Sequence, residues 1–301
     1  MGKLFLKITT LTLALLTGLN VHAAQRKKTT PAIRPAIVTR ALPKVPDPPP
    51  LAPGEPPLRA RGAIVIDALS GKSIYEKNAD EKQYPASTTK IMTALLVIEA
   101  GDLEKEVEIT PEESKVGESS LNIMAGEHFK RRQMLYGLLL KSANDVAYAL
   151  GRDNAGTMAA FAEKMTLRAQ ELGATSTHFM NPHGLHHIEH YTTPRDLALI
   201  ARAAMQQPLF RQIVSTQKEP WVTEFTVREL HNHNRLLARY PGCTGVKTGY
   251  TIPAQQVLVS AALRQSREVI AVVMHTDKPG IWDDSMSLLT YGLEHPPGGE
   301  H

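Results

Sequence analysis

The chain has 301 residues, of which 42% are hydrophobic and 21% charged, and its formal net charge is +4 at pH 7. This composition is that of an ordinary globular protein, and so small a positive charge argues against a nucleic-acid-binding protein. The single cysteine excludes an intramolecular disulfide and any zinc site built from several cysteines.

The first 24 residues have the features of an export signal. Lys3 and Lys7 give a positive start, residues 8–19 form an apolar run, and small residues suited to a signal peptidase surround Ala23. The apolar run is shorter than the ~20 residues that a membrane-spanning helix needs. We therefore expect residues 1–24 to be removed from an exported protein of the periplasm or cell-wall space, with no stable membrane anchor left afterwards.

Residues 25–60 differ in composition from the rest of the chain. They contain ten prolines, including Pro48-Pro49-Pro50. Such a segment has little to bury and is typical of a semi-stiff, disordered linker. We expect one folded catalytic domain over residues 61–295 and a flexible tail over residues 296–301.

Hydrophobic periodicity predicts strands at both ends of this domain and helices between them. Residues 63–66 and 73–75 predict a pair of strands, residues 257–259 and 269–273 predict another pair, and residues 283–293 predict a last helix. The helices between are marked by apolar stripes at Ile91, Ala94, Leu95 and Ile98, at Met134, Leu135, Leu138 and Leu139, and at Leu197, Ile200, Ala201 and Ala204. The expected fold class is α+β, with an antiparallel sheet from the N- and C-terminal segments flanked by a mostly helical middle section.

The first motif with chemical meaning is Ser87-Thr88-Thr89-Lys90, which follows Pro85 and precedes an apolar helix. At this spacing the serine and the lysine share one helix face. A lysine whose pKa is lowered by burial can take the proton of the serine and activate it as a nucleophile. The alternative is a helix-capping serine beside a surface lysine.

Two further motifs offer groups for the same cleft. Ser142-Ala143-Asn144 supplies a hydroxyl for proton relay and an amide for a substrate carbonyl, with helix capping as the alternative. Lys247-Thr248-Gly249, followed by Tyr250, lies in a predicted strand. Its lysine and hydroxyl suit a carboxylate, and the glycine leaves room for a peptide to add to the strand edge. An ordinary edge strand protected by a lysine is the alternative.

In this order, about 55 and 105 residues apart, the three motifs match the penicillin-recognising serine enzymes. The sequence more specifically resembles the low-molecular-mass penicillin-binding proteins of the D-alanyl-D-alanine carboxypeptidase family. The resemblance covers residues 61–293 and rests on residues 85–93, 141–145, 181–185, 191–197 and 245–251. It implies a β-lactamase/transpeptidase-like fold.

The resemblance implies a catalytic set of Ser87, Lys90 and Ser142. Ser87 would attack the carbonyl between two D-alanines of a peptidoglycan stem peptide while Lys90 takes its proton. Ser142 would pass a proton to the departing alanine, and water would then hydrolyse the acyl-enzyme.

The resemblance also implies substrate-binding roles for Asn144, Lys247, Thr248, Gly249 and Tyr250. Asn144 would anchor the stem peptide, and Lys247 and Thr248 would hold its terminal carboxylate. Backbone N–H groups of Ser87 and Tyr250 would form the oxyanion hole.

The implied protein is a monomeric serine carboxypeptidase that needs no cofactor and that β-lactam antibiotics acylate. A D,D-endopeptidase that cleaves peptidoglycan cross-links and a non-catalytic penicillin-sensing module remain alternatives. A class A β-lactamase shares the three motifs but deacylates with a glutamate in Glu-x-x-x-Asn, which does not occur between Asn144 and Lys247. Efficient β-lactam hydrolysis is therefore not expected.

Four histidines at helical spacing could gather zinc ligands: His183, His186, His187 and His190. Gly184 directly after Pro182-His183 favours a loop instead, so no metal is expected at this place.

Overall fold

The computed structural model describes residues 54–295. The predicted signal, residues 25–53 of the predicted linker and the predicted tail lie outside the described residues. The strands are β1 (Gly62–Asp67), β2 (Ser73–Lys77), β3 (Glu106–Glu108), β4 (His128–Lys130), β5 (Lys218–Val222), β6 (Val227–His231), β7 (Cys243–Thr251), β8 (Gln255–Arg264) and β9 (Arg267–Thr276). The α-helices are α1 (Lys90–Glu99), α2 (Arg131–Leu140), α3 (Asn144–Ala155), α4 (Met158–Glu171), α5 (Pro194–Met205), α6 (Pro208–Ser215), α7 (Leu236–Arg239) and α8 (Gly280–Glu294).

Five strands form one antiparallel sheet in the order β2-β1-β9-β8-β7. β1 pairs with β9 along its whole length, with Val65 opposite Ala271, so the N-terminal hairpin joins the C-terminal strands. β7 pairs with β8 alone in this sheet and is therefore its edge strand. The predicted α+β class and the predicted meeting of the terminal segments are confirmed.

Alternation along the strands divides the hydrophobic core into two layers. On β9, Ile270 and Val272 face the layer that contains the helices of the middle section. Their neighbours Ala271 and Val273 face a smaller layer that is covered by α8. Successive side chains of a strand point to opposite faces, so a strand buried on both sides is apolar at nearly every position.

The predicted helical stripes are buried in the larger layer, where Ile98 alone of their members is only partly buried. Helix α5 shows why one of these helices begins where it does. The hydroxyl of Thr193 accepts a hydrogen bond from the backbone N–H of Asp196 at 3.1 Å, and Pro194 occupies the first helical position. Within residues 54–295, none of the helices has both the length and the apolar character that crossing a bilayer requires.

Two small two-stranded sheets, β3–β4 and the hairpin β5–β6, were not predicted. Their strands of three and five residues are too short to give a clear alternating pattern. The hairpin β5–β6 is held to α2 by Trp221, whose ring would lie 2.9 Å from a Cβ atom added at Gly137. The glycine therefore makes the space that lets the hairpin pack on the helix.

Residues 56–60 belong to the folded body rather than to a linker, which corrects the predicted boundary near residue 61. The backbone N–H groups of Arg59 and Ala60 donate to the carboxylate of Asp284 at 3.2 and 2.8 Å. Leu58 and Ala60 are buried in the smaller core layer. The proline-rich composition hid this docking, because it depends on a carboxylate more than 200 residues away.

Candidate active site

Ser87 lies in a tight turn that presents its hydroxyl to a cleft. Residues Ala86–Thr89 form a 3-10 helix directly before α1. Ala86 has a φ of 47°, a left-handed conformation that is unfavourable for alanine. Ser87 is half-buried, whereas the residues on both sides of it are buried. The turn thus stores backbone strain beside one accessible hydroxyl, a combination that is common at functional sites.

Lys90 is 0% exposed, and its side-chain nitrogen is surrounded by oxygen atoms. Nζ lies 3.1 Å from Ser87 Oγ, 2.7 Å from Asn144 Oδ1 and 2.7 Å from the carbonyl oxygen of His183. Burial, followed by the charge of Lys247, holds the pKa of Lys90 well below its usual range. A neutral lysine has a free lone pair, so Nζ can accept the proton of Ser87.

Asn144 is 2% exposed, and both ends of its amide are engaged within the protein. Oδ1 accepts from Lys90 Nζ, and Nδ2 donates to the carbonyl oxygen of Gly117 at 3.1 Å. The role of Asn144 as an anchor for substrate stays a prediction, and these contacts show in addition that the amide orients the lysine. The sequence pattern did not indicate this second role, because Lys90 lies more than 50 residues away from Asn144.

Ser142 stands in the loop between α2 and α3, with its side chain at the cleft. Its φ of 64° is again left-handed. The wall beside it is fixed by the buried carboxylate of Asp145, which accepts hydrogen bonds from the backbone N–H groups of Leu121 and Ile123 at 3.0 and 3.2 Å. Ser119, at the start of this wall, also lines the cleft.

Lys247 is buried close enough to Lys90 and to the cleft residue His233 for its charge to act on both. It is 1% exposed, and its Nζ donates to the carbonyl oxygen of Thr248 at 3.0 Å. Burial lowers its pKa to about 7. The contact of Lys247 with a substrate carboxylate stays a prediction, and Thr248, Gly249 and Tyr250 of the same motif line the cleft.

Gly249 is required by the approach of β7 to the Ser87 turn. A Cβ atom added there would lie 2.9 Å from the backbone nitrogen of Ser87 and 3.1 Å from Ala86 Cβ. The sequence predicted that this glycine leaves room for a ligand. That role stays a prediction, and the lack of a side chain also lets the backbone of the edge strand meet the backbone of the nucleophile turn, the arrangement that an oxyanion hole built from Ser87 and Tyr250 N–H groups requires.

The loop of residues 181–185, which the sequence analysis did not assign to the site, contacts Lys90 through the carbonyl oxygen of His183. Gly184 in this loop has a φ of 87°, and an added Cβ would lie 1.8 Å from the carbonyl oxygen of Ala86. Thr93 Oγ1 donates to the carbonyl oxygen of Pro182 at 2.7 Å, next to the His183 carbonyl that Lys90 contacts. The only signal for this loop was its similarity to the family in residues 181–185.

The histidines of this region serve packing and hydrogen bonding. His190 Nε2 lies 2.8 Å from Thr89 Oγ1, and the backbone N–H of Met180 donates to His190 Nδ1 at 3.0 Å. Burial lowers the pKa values of His183 and His190 to about 3. Both rings therefore stay neutral beside Lys90 at physiological pH, and no group of three potential metal ligands occurs in residues 54–295.

The cleft has a volume of about 420 Å³ and combines predicted and unpredicted residues. Of the predicted set, Ser87, Ser142 and residues 248–250 line it, and the other three lie buried. Residues missed by the sequence analysis complete the lining: Ser119, Asn232, His233, Arg235, Gln256, Lys278, Ile281 and Trp282. None of these carried a recognisable motif, because segments far apart in the chain bring them together.

Comparison with known proteins identifies the family. The family model for D-alanyl-D-alanine carboxypeptidase, peptidase family S11, matches residues 50–278. D-alanyl-D-alanine carboxypeptidase DacF of Bacillus subtilis is 36% identical over 227 residues, which cover 73% of this chain and 58% of that protein. The D-alanyl-D-alanine carboxypeptidase of Streptomyces sp. strain K15 is 34% identical over 258 residues, 79% of this chain and 89% of that protein.

Solved structures agree with this likeness. The Streptomyces K15 DD-transpeptidase superimposes with a TM-score of 0.76 at 33% identity, covering 80% of this chain and 99% of that one. A penicillin-binding protein homolog from Mycobacterium tuberculosis gives a TM-score of 0.78 at 32% identity, covering 82% and 95%. The chain therefore belongs to the D-alanyl-D-alanine carboxypeptidase family of serine peptidases.

Proposed function

We propose that this protein is a serine D,D-carboxypeptidase that removes the terminal D-alanine of peptidoglycan stem peptides through an acyl-enzyme on Ser87. The observation that carries the proposal is the 3.1 Å contact between Ser87 Oγ and Nζ of the fully buried Lys90. A buried lysine with a lowered pKa is the base that a serine nucleophile needs at neutral pH.

In the acylation step, Lys90 takes the proton of Ser87 as Oγ bonds to the carbonyl carbon between the two D-alanines. The resulting oxyanion receives hydrogen bonds from the backbone N–H groups of Ser87 and Tyr250. When the intermediate collapses, the C–N bond breaks, and the proton passes from Lys90 through Ser142 to the leaving amine. D-alanine departs, and the remaining peptide stays esterified to Ser87.

In the deacylation step, water attacks the ester, and the same groups work in reverse. Neutral Lys90 takes a proton from the water, and Ser87 recovers its hydroxyl when the ester breaks. Asn144 and the His183 carbonyl keep Nζ in place through both steps, since their 2.7 Å contacts do not depend on substrate. A β-lactam would acylate Ser87 in the same way but would leave it slowly.

A DD-transpeptidase is a second candidate, because solved structures of a protein with that name superimpose on this chain. The two reactions share the acyl-enzyme and differ in whether water or an amine attacks it. A D,D-endopeptidase would use the same groups on cross-linked peptides. The choice depends on which substrates and acceptors reach the cleft.

The test is to incubate the purified protein and its Ser87→Ala variant with pentapeptide, with cross-linked dimers, and with pentapeptide plus an acceptor amine, and to follow the products by mass spectrometry. We expect the wild-type protein to release one alanine from the pentapeptide and the variant to release none. Cleavage of dimers instead would favour an endopeptidase, and amide products would favour a transpeptidase. If penicillin labels Ser87 while no peptide changes, the protein is a sensor.

The cellular setting remains part of the proposal. We infer that residues 1–24 direct export, that residues 25–55 are a spacer, and that the enzyme works as a monomer in the periplasm or cell-wall space. The family and its peptidoglycan substrates support this setting. N-terminal sequencing of the mature protein tests the cleavage point.

A further inference from the structure

A second cavity adjoins the cleft of Ser87 and takes no part in the proposed steps. Its volume is about 360 Å³, and it is lined by residues 120–122, Lys141, residues 228–231 and His233. We call this cavity the side pocket. His233 also lines the cleft, so the two cavities meet at its side chain.

The side pocket lies on the side of Ser142 rather than on the side of the edge strand. Lys141 in its wall directly precedes Ser142, and the Lys141 carbonyl oxygen accepts a hydrogen bond at 2.9 Å from Oγ of Ser119, a residue of the cleft. None of the residues of β7 lines the side pocket. In the proposed acylation step Ser142 passes a proton to the leaving amine. A leaving group longer than one alanine therefore extends from Ser142 toward the side pocket.

The two walls of the side pocket are joined to each other in the absence of any ligand. Arg228 Nη2 donates to the carbonyl oxygen of Leu121 at 2.8 Å, which links β6 to the loop opposite. Ser120 Oγ donates to the buried carboxylate of Asp145 at 2.5 Å and accepts from the backbone N–H of Asn122 at 2.8 Å. The side pocket is therefore preformed, and a ligand does not have to order its walls.

The side pocket carries positive charge that no acid neutralises. Lys141 is half-buried and has neither an ion pair nor a side-chain hydrogen bond within residues 54–295, and Arg228 has no carboxylate within salt-bridge distance in the same range. Burial above all, with the charge of Lys141 among the further causes, lowers the pKa of His233 to about 4, so Lys141 lies close to this neutral ring. Glu229, the one acid of the lining, is already paired with Lys218 at 2.9 Å. Such a cavity favours an anion.

We propose that the side pocket binds the peptide joined to the leaving amine of a cross-linked substrate, with Lys141 and Arg228 on a carboxylate of that peptide. This assignment rests on the proposed chemistry of Ser87 and extends the substrates of the site to cross-linked dimers. A pentapeptide loses a single D-alanine and has nothing further on that side of the broken bond. In a dimer the leaving amine belongs to a second stem peptide, whose carboxylates suit two cations without acidic partners.

The experiment measures equilibrium binding by calorimetry in the Ser87→Ala background, where no ligand is turned over. The ligands are pentapeptide, a cross-linked dimer, and the same dimer with the carboxylates of its leaving strand amidated. The background protein is compared with additional Lys141→Gln, Lys141→Arg, Arg228→Gln and Arg239→Gln substitutions. Arg239 is exposed and lines neither cavity, so its variant matches the change in charge. Thermal unfolding of each variant shows that it is folded.

We expect the background protein to bind the dimer roughly 10-fold more tightly than pentapeptide. Lys141→Gln should abolish this preference, Arg228→Gln should reduce it about threefold, and Lys141→Arg and Arg239→Gln should keep it. Amidation of the leaving strand should cost the background protein as much as Lys141→Gln does.

The proposal is wrong if the background protein shows no preference for the dimer, if the amidated dimer binds as tightly as the free acid, or if Arg239→Gln loses as much as Lys141→Gln. It is also wrong if Lys141→Gln keeps the preference, because Lys141 then only packs its methylene groups against the wall. Binding does not need turnover. A failure of the carboxypeptidase function would instead appear as absence of alanine release from pentapeptide by the wild-type protein.

Discussion

Lys90 and Lys247 lie behind the cleft at 0% and 1% exposure, whereas Arg235 and Lys278 stand at its open side in contact with solvent. We call the first pair the buried cations and the second pair the open cations. Burial lowers the pKa of both buried cations, that of Lys247 to about 7, and so favours their neutral forms, which can accept a proton. The open cations stand in solvent, where they can attract an anion. The basic side chains of this site thus serve proton transfer where they are buried and recognition of an anion where water reaches them.

The largest expected effect comes from removing the proton chemistry of a buried cation while keeping a long basic side chain in its place. In Lys90→Arg the guanidinium stays protonated, so it cannot take the proton of Ser87. We expect the rate of penicillin acylation to fall roughly 10³-fold, the usual contribution of a general base. Stopped-flow or gel-based acylation kinetics measure this. Lys72→Arg, at an exposed turn, is the matched control and should react as wild type does; a Lys90→Arg rate within tenfold of wild type would contradict the assigned role.

A second test loosens the backbone that holds Lys90 and the turn of Ser87. In Gly184→Ala the new methyl group would overlap the Ala86 carbonyl oxygen, in addition to the strain of a positive φ. We expect the free energy of unfolding to fall by about 3 kcal/mol and acylation to slow, because the turn of Ser87 must shift. Urea unfolding and acylation kinetics give the two readings. Gly156→Ala has a similar φ of 78° with open space around it, so it should lose about 2 kcal/mol through backbone strain alone and keep its acylation rate; slowed acylation in both variants would show that the overlap does not matter.

A third, smaller effect concerns pH. The pKa of Lys247 is about 7 in the folded protein and 10.5 in its ordinary state. Between these values the unfolded chain binds a proton that the folded chain does not, so this group makes stability rise with pH across that window. Below pH 7 Lys247 is protonated even in the folded protein, so its burial there lowers the free energy of unfolding by the largest amount. Lys247→Met should therefore be more stable than wild type at pH 6, and the difference should shrink toward pH 10. Urea unfolding at several pH values checks this, and a constant difference would refute the low pKa.

Much of the fold followed from local patterns. The apolar stripes of α1, α2 and α5 and the β-branched runs of β8 and β9 each lie within one short segment of the sequence. The structure contains each of these predicted elements. The three motifs indicated a cleft, because their residue types are adjacent in sequence even where their partners are distant. Contacts between motifs could not be predicted from the sequence, so it gave no sign that Asn144 orients Lys90 or that Lys247 is buried. Arg235 was missed for the same reason, since no neighbour in sequence shows that it lies beside Trp282 in the cleft.

The order of strands in the sheet has a consequence for how the chain reaches its native state. β1 cannot pair fully until β9 exists, so the sheet closes a loop of about two hundred residues. Such a closure is entropically costly and slow, while the helices of the middle section form from neighbouring residues. We therefore expect the helices of the middle section to form and pack first and the five-stranded sheet to form last. Any catalysis must await that final step, because β7 reaches the turn of Ser87 only as part of the completed sheet.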